Sequence, residues 1–216
     1  RQYISAEETS NLGRITPEEE KLTKKEDVDK LADTAFPLCM SLIEKHINKY
    51  SHLTHFGRLQ YTLFLKGAGL PVDEALKFFQ EKYDKVTPLD KFEKEYAYNI
   101  RHSYGLEGKR ANYSTFSCER ILKLNPPTGR ECHGCPFKNY SLDNLRRILE
   151  DCHLVSDDIE DILSKKRTNE FQLACSKFFH AKFKNFMGSG IGIHPNSYVA
   201  AVMKAIKELN KKKANN

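Results

Sequence analysis

Four widely separated cysteines constrain the fold of this chain more than any other feature. Cys39, Cys118, Cys135 and Cys175 lie in different segments, and no charged-then-apolar leader opens the sequence. We therefore expect an intracellular protein, whose thiols rarely form disulfides. Distant cysteines in such a protein are expected to meet on a metal. The sequence thus predicts a buried metal centre that ties four remote segments together.

The type of metal centre is left open between two chemistries. Zinc modules usually present their ligands as two close pairs, and this chain has one such pair, Cys132 and Cys135. An iron–sulfur cluster needs four thiolates without close pairs, and Pro136 after Cys135 is typical of some iron–sulfur loops. We favour a cluster and keep a zinc-stabilised binding module as the alternative. Cys132 and Cys152 are interpreted as small buried hydrophobic residues.

The pair Cys132 and Cys135 could also indicate thioredoxin-like redox chemistry. That chemistry requires a βαβ context, whereas this pair lies in a loop rich in proline and glycine. Redox catalysis by this pair is therefore disfavoured.

Charge and length indicate the class of partner. The 216 residues suffice for one large or two small domains, and the net charge is +6. Residues 1–30 carry six Lys and Arg against eight Asp and Glu, so the positive charge is concentrated in the remainder. This excess favours an anionic partner such as nucleic acid, although ordinary solubilising charge would also account for it. No apolar run is long enough to span a bilayer, so no membrane partner is expected.

Helical periodicity dominates the sequence and predicts a mainly α fold. Apolar residues recur at helical spacing from Phe36 onward, and Ser141, Ser156 and Thr168 precede further helical patterns. Glycine and proline are concentrated in residues 105–140, which we predict to be irregular. We expect two helical lobes, at about 31–104 and 141–216, around this loop-rich, cysteine-bearing centre. Residues 1–30 are predicted to be a charged linker or surface helix.

Two groups of polar residues are candidates for nucleic-acid contacts. His52, His55 and Arg58 are spaced three apart where a helix should begin, a place that suits phosphate, and Lys66 follows two turns later. The second group places aromatic, amide and basic side chains on neighbouring helix faces, as surfaces that stack on bases do. Its members are Tyr96, Tyr98, Asn99, Arg101 and His102, with Lys109 and Arg110 following in the irregular stretch. The alternatives are capping histidines in the first group and core tyrosines in the second.

No catalytic set is recognisable in the sequence. The only Asp-x-Asp, at Asp27 and Asp29, lies in the charged opening rather than among other carboxylates, as two-metal polymerisation would require. There is no Walker loop, nucleophile elbow or His-Glu-x-x-His helix. We therefore assign no catalytic residue and expect the chain not to be an independent enzyme.

Five linked motifs occur in order between about Leu31 and Tyr198. They are Phe36-Pro37-Leu38-Cys39-Met40, Arg58-Leu59-Gln60-Tyr61 with Leu63-Phe64-Leu65-Lys66-Gly67, Tyr98-Asn99-Ile100-Arg101-His102, Gly105-Leu106-Glu107-Gly108-Lys109-Arg110, and His133-Gly134-Cys135-Pro136-Phe137. Together they resemble the C-terminal iron–sulfur domain of the large subunit of eukaryotic DNA primases.

The resemblance implies a [4Fe–4S] cluster held by Cys39, Cys118, Cys135 and Cys175. It leaves Cys132, where relatives tend to have another residue, as a bystander or substitute ligand. Thr54 lies where relatives often carry a basic residue.

The resemblance also implies a role in primer synthesis during DNA replication in the nucleus. In this family the domain binds the junction of the DNA template and the RNA primer with its 5′-triphosphate, or the initiating nucleotide. The polymerising site lies on the primase small subunit, and DNA polymerase alpha joins both in the primosome. His52, His55, Arg58 and Lys66 would hold phosphates. Junction nucleotides and backbone would be held by Tyr96, Tyr98, Asn99, Arg101, His102, Lys109 and Arg110. A redox-switched iron–sulfur DNA binder is a further alternative.

Overall fold

The computed structural model describes residues 22–184 and 191–214, and helices form all the regular secondary structure in these ranges. Within these ranges there is no β-strand, so the mainly α prediction is confirmed. The helices are α1 (Lys25–Ala32), α2 (Leu38–Tyr50), α3 (His55–Gly67), α4 (Val72–Tyr83), α5 (Leu89–Phe92), a π-helical turn (Glu93–Ala97), α6 (Tyr98–Ser103), α7 (Cys118–Lys123), α8 (Pro136–Asn139), α9 (Leu142–Asp151), α10 (Ser156–Arg167), α11 (Phe171–Lys182) and α12 (Pro195–Ala214). Among these helices, none combines the length and apolar character needed to cross a membrane.

Local sequence explains several helix starts, with two corrections. The Ser141 hydroxyl accepts a hydrogen bond from the Asn144 amide, so it caps α9 as predicted. Ser156 is instead the first residue of α10, and Thr168 caps the C-terminus of that helix rather than the N-terminus of α11. The Thr168 hydroxyl bonds to preceding carbonyl groups, a local bond that competes with N-capping.

Buried apolar side chains form two clusters that share α2 and α12. The first cluster is made mainly by α1 to α6, and the second mainly by α9 to α12. Within α2, Leu38 belongs to the second cluster, whereas Met40, Ile43 and Ile47 belong to the first. The helix α12 likewise places Val199 in the first cluster and Tyr198 and Val202 in the second, so α2 and α12 each contribute to both cores. The predicted boundaries of the two lobes stay predictions.

A buried polar network joins α2, α3 and α4 inside the first cluster. The Tyr61 hydroxyl donates to the Glu44 carboxylate at 2.5 Å, and the Lys82 ammonium lies 2.9 Å from the same carboxylate. Burial raises the pKa of Glu44, while Tyr61 and Lys82 act against that rise. The pairing satisfies a carboxylate that would otherwise be costly inside a core.

Hydrogen bonds to α3 hold the middle segment, residues 105–140. The Gln60 amide makes two bonds to the backbone of Gly134, accepting from its N–H at 2.8 Å and donating to its carbonyl at 3.4 Å. The Thr115 hydroxyl of the segment donates to the Leu63 carbonyl at 2.7 Å. A separate bond, from the Asn196 amide to the Phe64 carbonyl at 3.1 Å, joins α12 to the same helix. The segment is therefore fixed by polar contacts where it has little regular structure of its own.

Replacing the buried amide tests this anchoring. Gln60→Leu should leave the Gly134 N–H and carbonyl buried without partners, and we expect it to lower the free energy of unfolding by about 1–3 kcal/mol. Gln80→Leu, at a partly buried position of α4, is the matched control and should cost less than about 0.5 kcal/mol. Denaturant unfolding of both variants measures the difference. Equal effects would mean that Gln60 does not hold the loop.

Candidate functional site

The four predicted cysteines line one cavity, which we call the cysteine cavity. Cys39 lies in the first turn of α2, Cys118 begins α7, Cys135 precedes α8, and Cys175 lies in the middle of α11. The cavity has a volume of about 40 Å³, whereas one water molecule needs about 10–15 Å³. The fold thus brings together cysteines that are up to 136 positions apart. Neither Cys132 nor Cys152 lines this cavity.

Burial makes these thiols poor acids as long as no cation accompanies them. Burial raises the pKa of Cys39 well above its ordinary value, and the neighbouring Cys135, Cys175 and Cys118 raise it further. Burial likewise raises the pKa of Cys118 to about 12, with Cys135 adding to the effect. A thiolate in this cavity therefore needs compensating positive charge.

Cys135 is the cysteine with the most support for negative charge. Burial raises its pKa, but the backbone N–H groups of Lys138 and Phe137 and the charges of Lys166 and Lys138 act against the rise. The Lys166 ammonium donates to the Phe137 carbonyl at 2.8 Å and so holds α8 beside this cysteine. The backbone N–H groups at the start of α8 and the two lysine charges therefore favour a thiolate at Cys135.

One hydroxyl at the cysteine cavity has no partner among the described residues. Tyr198 lines the cavity at 2% exposure, and its hydroxyl oxygen is buried without a hydrogen bond. An unpaired buried donor costs about 1–3 kcal/mol, so such a group normally faces an acceptor. Sulfur atoms of a bound group would be suitable acceptors.

A second, larger cavity of about 300 Å³ lies between α3, α6 and the segment before and within α7. We call it the basic cavity. It brings together four of the predicted residues, His55, Arg58, Asn99 and His102. Its other polar lining residues are Thr62, Ser103, Tyr113, Ser114 and Arg120. Within residues 22–184 and 191–214, no Asp or Glu lines it. The cavity is therefore suited to an anion.

Arg58 is fixed in place on one side of the basic cavity. It is 9% exposed, and its Nη1 donates to the Leu53 carbonyl at 3.0 Å. Its guanidinium carbon lies 4.9 Å from the centre of the Tyr96 ring. A guanidinium held by stacking and one bond loses little conformational freedom when it binds an anion.

His52 and Tyr96 lie beside Arg58 but do not line the basic cavity. Tyr96 Oη is 3.4 Å from His52 Nε2, and the two rings meet edge to face at 6.0 Å. Burial lowers the pKa of His52, and the nearby Arg58 lowers it further, so a neutral imidazole is favoured. Both side chains therefore support Arg58, and Tyr96 also packs against the first apolar cluster.

Lys66 is occupied by protein acceptors. Its ammonium donates to the Ser103 carbonyl at 3.0 Å, Asn112 Oδ1 at 2.8 Å and the Tyr113 carbonyl at 2.9 Å. An ammonium has three protons, so these bonds use all of them. Lys66 thus holds the loop containing Tyr113 against α3 and α6, and it does not line the basic cavity.

The remaining predicted residues lie at or beyond the rim. Tyr98 is 45% exposed, and its ring is 6.1 Å from that of His102, which in turn is 4.9 Å from that of Tyr113. Lys109 and Arg110 are exposed. Arg101 is engaged by carboxylates, with its Nε 2.9 Å from Glu107 and its Nη1 3.7 Å from Glu93.

Sequence reasoning missed Thr62, Tyr113 and Arg120. A weak signal existed for Thr62, a polar residue in an apolar helix one turn after Arg58. Tyr113 and Arg120 lie in residues 105–140, which were predicted to be irregular. Arg120 is instead on the short helix α7, where six residues give too little periodicity to indicate which way a side chain faces. Their placement depends on long-range bonds such as those of Lys66.

Comparison with known proteins gives consistent similarities. The 216-residue chain is 41% identical over 181 residues to a probable DNA primase large subunit of Arabidopsis thaliana, covering 84% of this chain and 39% of that protein. It is 38% identical over 191 residues to the DNA primase large subunit of Homo sapiens, covering 87% and 36%. A third similarity is to the DNA primase large subunit of Dictyostelium discoideum, 41% identical over 197 residues and covering 90% and 41%.

The chain thus spans between 36% and 41% of the length of these three relatives. Residues 29–199 match the family described as the C-terminal domain of the large subunit of eukaryotic and archaeal DNA primase. That match covers most of the chain, from α1 to the first part of α12. With the relatives' identities, it shows that the chain belongs to the family of eukaryotic and archaeal DNA primase large subunits and corresponds to their C-terminal domain.

Proposed function

We propose that this chain binds the junction between a DNA template and an RNA primer, including the primer's 5′-triphosphate or that of the initiating nucleotide. In this role it supports RNA primer synthesis during DNA replication. It is an accessory part of DNA primase, whose polymerising site is on the small subunit. Its partners are that small subunit, DNA polymerase alpha, the template and the primer, and its location is the nucleus.

The observation that carries this proposal is the charge of the basic cavity. Arg58 and Arg120 line it together with His55 and His102, and in the described ranges neither guanidinium forms an ion pair with a carboxylate. Most other arginines for which the structure gives polar contacts bind carboxylates, as Arg101 and Arg146 do. Cations left unpaired around a cavity favour a polyanionic ligand, and arginine matches phosphate geometry well.

We assign each proposed nucleic-acid contact from the position of the side chain that would make it. Phosphates would enter the basic cavity between α3 and α6, near His55 and Arg58. Nucleotides of the junction would lie against Asn99, His102 and the exposed Tyr98 ring, where stacking contributes about 1–3 kcal/mol per base. Lys109 and Arg110 would contact the sugar-phosphate backbone. Holding the first nucleotide beside the template turns a bimolecular encounter into a local one.

We also propose that Cys39, Cys118, Cys135 and Cys175 hold a [4Fe–4S] cluster. All four line the cysteine cavity, and the unpartnered Tyr198 hydroxyl offers a donor to sulfur. When bound, the cluster would join four remote segments through iron–thiolate bonds and supply the positive charge that buried thiolates need. The protein positions the four cysteine sulfurs through α2, α7, α11 and the loop held by Gln60.

A single zinc ion has less geometric support than a cluster. Among the side chains that the structure describes, no three His, Cys, Asp or Glu come close enough to share one metal ion. In a cluster each thiolate binds a different iron, so the sulfurs stand farther apart than around one ion. The redox-switched alternative stays a prediction, and voltammetry with and without DNA tests it.

Loss of one cysteine ligand should loosen the fold. Cys39→Ser should remove iron and lower Tm, and a loss of only 2 kcal/mol would lower it by about 4–8 °C. Cys132→Ser is the control, because Cys132 does not line the cavity and should leave iron content and Tm close to wild type. Anaerobic purification with iron and sulfide analysis, followed by thermal unfolding, measures both. Wild-type Tm and iron content in Cys39→Ser would make Cys39 an ordinary core residue.

The chain should prefer a primer that begins with a triphosphate over one that begins with a hydroxyl. His55→Ala removes an exposed cavity residue and should reduce this preference by about ten- to hundredfold, because a hydrogen bond to a charged group contributes about 1.5–3 kcal/mol. His180→Ala, at an exposed position of α11, is the control. Competitive binding to matched duplexes gives the ratio. A wild-type chain without any preference would contradict the proposed function.

Affinity for the template/primer duplex should also fall steeply with salt. Each phosphate neutralised by Lys or Arg releases counterions, so log Kd should rise linearly with log salt concentration. Lys109→Ala with Arg110→Ala should reduce the slope by about two, because two phosphate contacts are removed. Binding titrations from low to physiological salt give the slope. A flat profile in wild type would rule out a phosphate-led interface.

A further inference from the structure

We propose that Arg120 and Thr62 are phosphate-binding residues of the basic cavity, an inference that rests on the proposed function. They face the cavity from different sides: Thr62 lies on α3, whereas Arg120 lies on α7. Together with Arg58 and His55 they would surround a triphosphate. The ligand group is the primer's 5′-triphosphate rather than the bases.

The surroundings of Arg120 leave its guanidinium available. The side chain is exposed, and its guanidinium carbon lies 3.9 Å from the centre of the Phe116 ring. The adjacent Glu119 carboxylate pairs with Lys123 at 2.5 Å instead, and no acidic partner of Arg120 is found in the described part of the chain. Stacking on Phe116 orients the guanidinium. No described residue accepts a hydrogen bond from it, so its N–H donors remain for phosphate oxygens.

Thr62 supplies an independent sign of a missing ligand. It is 1% exposed, it lines the basic cavity, and its hydroxyl oxygen has no hydrogen-bond partner among the described residues. A buried hydroxyl without a partner is destabilising, so its retention at a cavity wall indicates an acceptor from outside the chain. A phosphate oxygen between Arg58 and Arg120 is such an acceptor.

Cys118 and Arg120 lie two residues apart on α7, so the same short helix serves both cavities. The Cys118 amide donates to the Ile193 carbonyl at 3.0 Å, and the Ser117 hydroxyl accepts from the Arg120 amide at 3.2 Å. These bonds fix the helix start, and with it the direction in which Arg120 extends. Arg120 is therefore positioned by the structure that supports the cysteine cavity.

The test compares Arg120→Ala with Lys123→Ala, a cation on the same helix that does not line the basic cavity. The probe is a DNA template annealed to an RNA primer bearing either a 5′-triphosphate or a 5′-hydroxyl, bound to the anaerobically purified chain. Arg120→Ala should reduce the triphosphate-to-hydroxyl affinity ratio about tenfold, the loss of one bidentate contact. Affinity for the hydroxyl duplex, iron content and Tm should stay near wild type, and Lys123→Ala should keep the ratio.

Thr62→Val is the second variant, and it separates a ligand-binding role from a purely structural one by comparing Tm with the triphosphate-to-hydroxyl affinity ratio. Valine removes the unpartnered hydroxyl at nearly constant shape, so Tm should be unchanged or higher while the triphosphate ratio falls about threefold. If Arg120→Ala keeps the wild-type ratio, the proposal is overturned. If the wild-type chain itself shows no triphosphate preference, the proposed function fails as well, and that result is seen before any variant is measured.

Discussion

The contacts that α3 makes with the basic cavity and with the loop carrying Cys135 are the constraint on which the rest of the structure depends. Gln60 holds the loop that carries Cys135, whereas Arg58 and Thr62 line the basic cavity. Near the C-terminus of α3, the Leu63 carbonyl accepts a hydrogen bond from the Thr115 side chain, and the Phe64 carbonyl accepts one from the Asn196 side chain. These contacts let one rigid helix fix the geometry of both cavities, while little of the intervening chain is regular.

The backbone of α3 also approaches the loop before Cys135 closely. A Cβ on Gly57 would lie 2.5 Å from the Cys132 carbonyl oxygen, so only glycine lets α3 meet the loop at that point. Gly134 adopts φ of 82°, which glycine reaches without strain. The two glycines and Gln60 together determine where Cys135 lies. The position of the motif His133-Gly134-Cys135-Pro136 thus depends on Gln60, which lies more than seventy residues earlier in the chain.

Sequence patterns predicted most helices because periodicity and capping are local properties. The four cysteines named by the family resemblance do line one cavity, whereas their binding of a metal stays a prediction. The basic cavity was predicted only in part. His55, Arg58, Asn99 and His102 lie on helices, where spacing indicates a shared face, and they do line it. The assignment of Lys66 to phosphate stays a prediction. In this structure its protons are used by Ser103, Asn112 and Tyr113, acceptors that no local pattern connects to it.

The position of α7 between the cysteine cavity and the basic cavity would link the two binding events that we propose. Cys118 contributes sulfur to one cavity and Arg120 contributes a guanidinium to the other, separated by a single residue. Where a metal orders the start of α7 and thereby improves anion binding, thermodynamic reciprocity requires the bound anion to oppose release of that metal by the same free energy. With the cluster and the primer that we propose, the primer-bound domain would lose its cluster to a chelator less readily than the unbound domain.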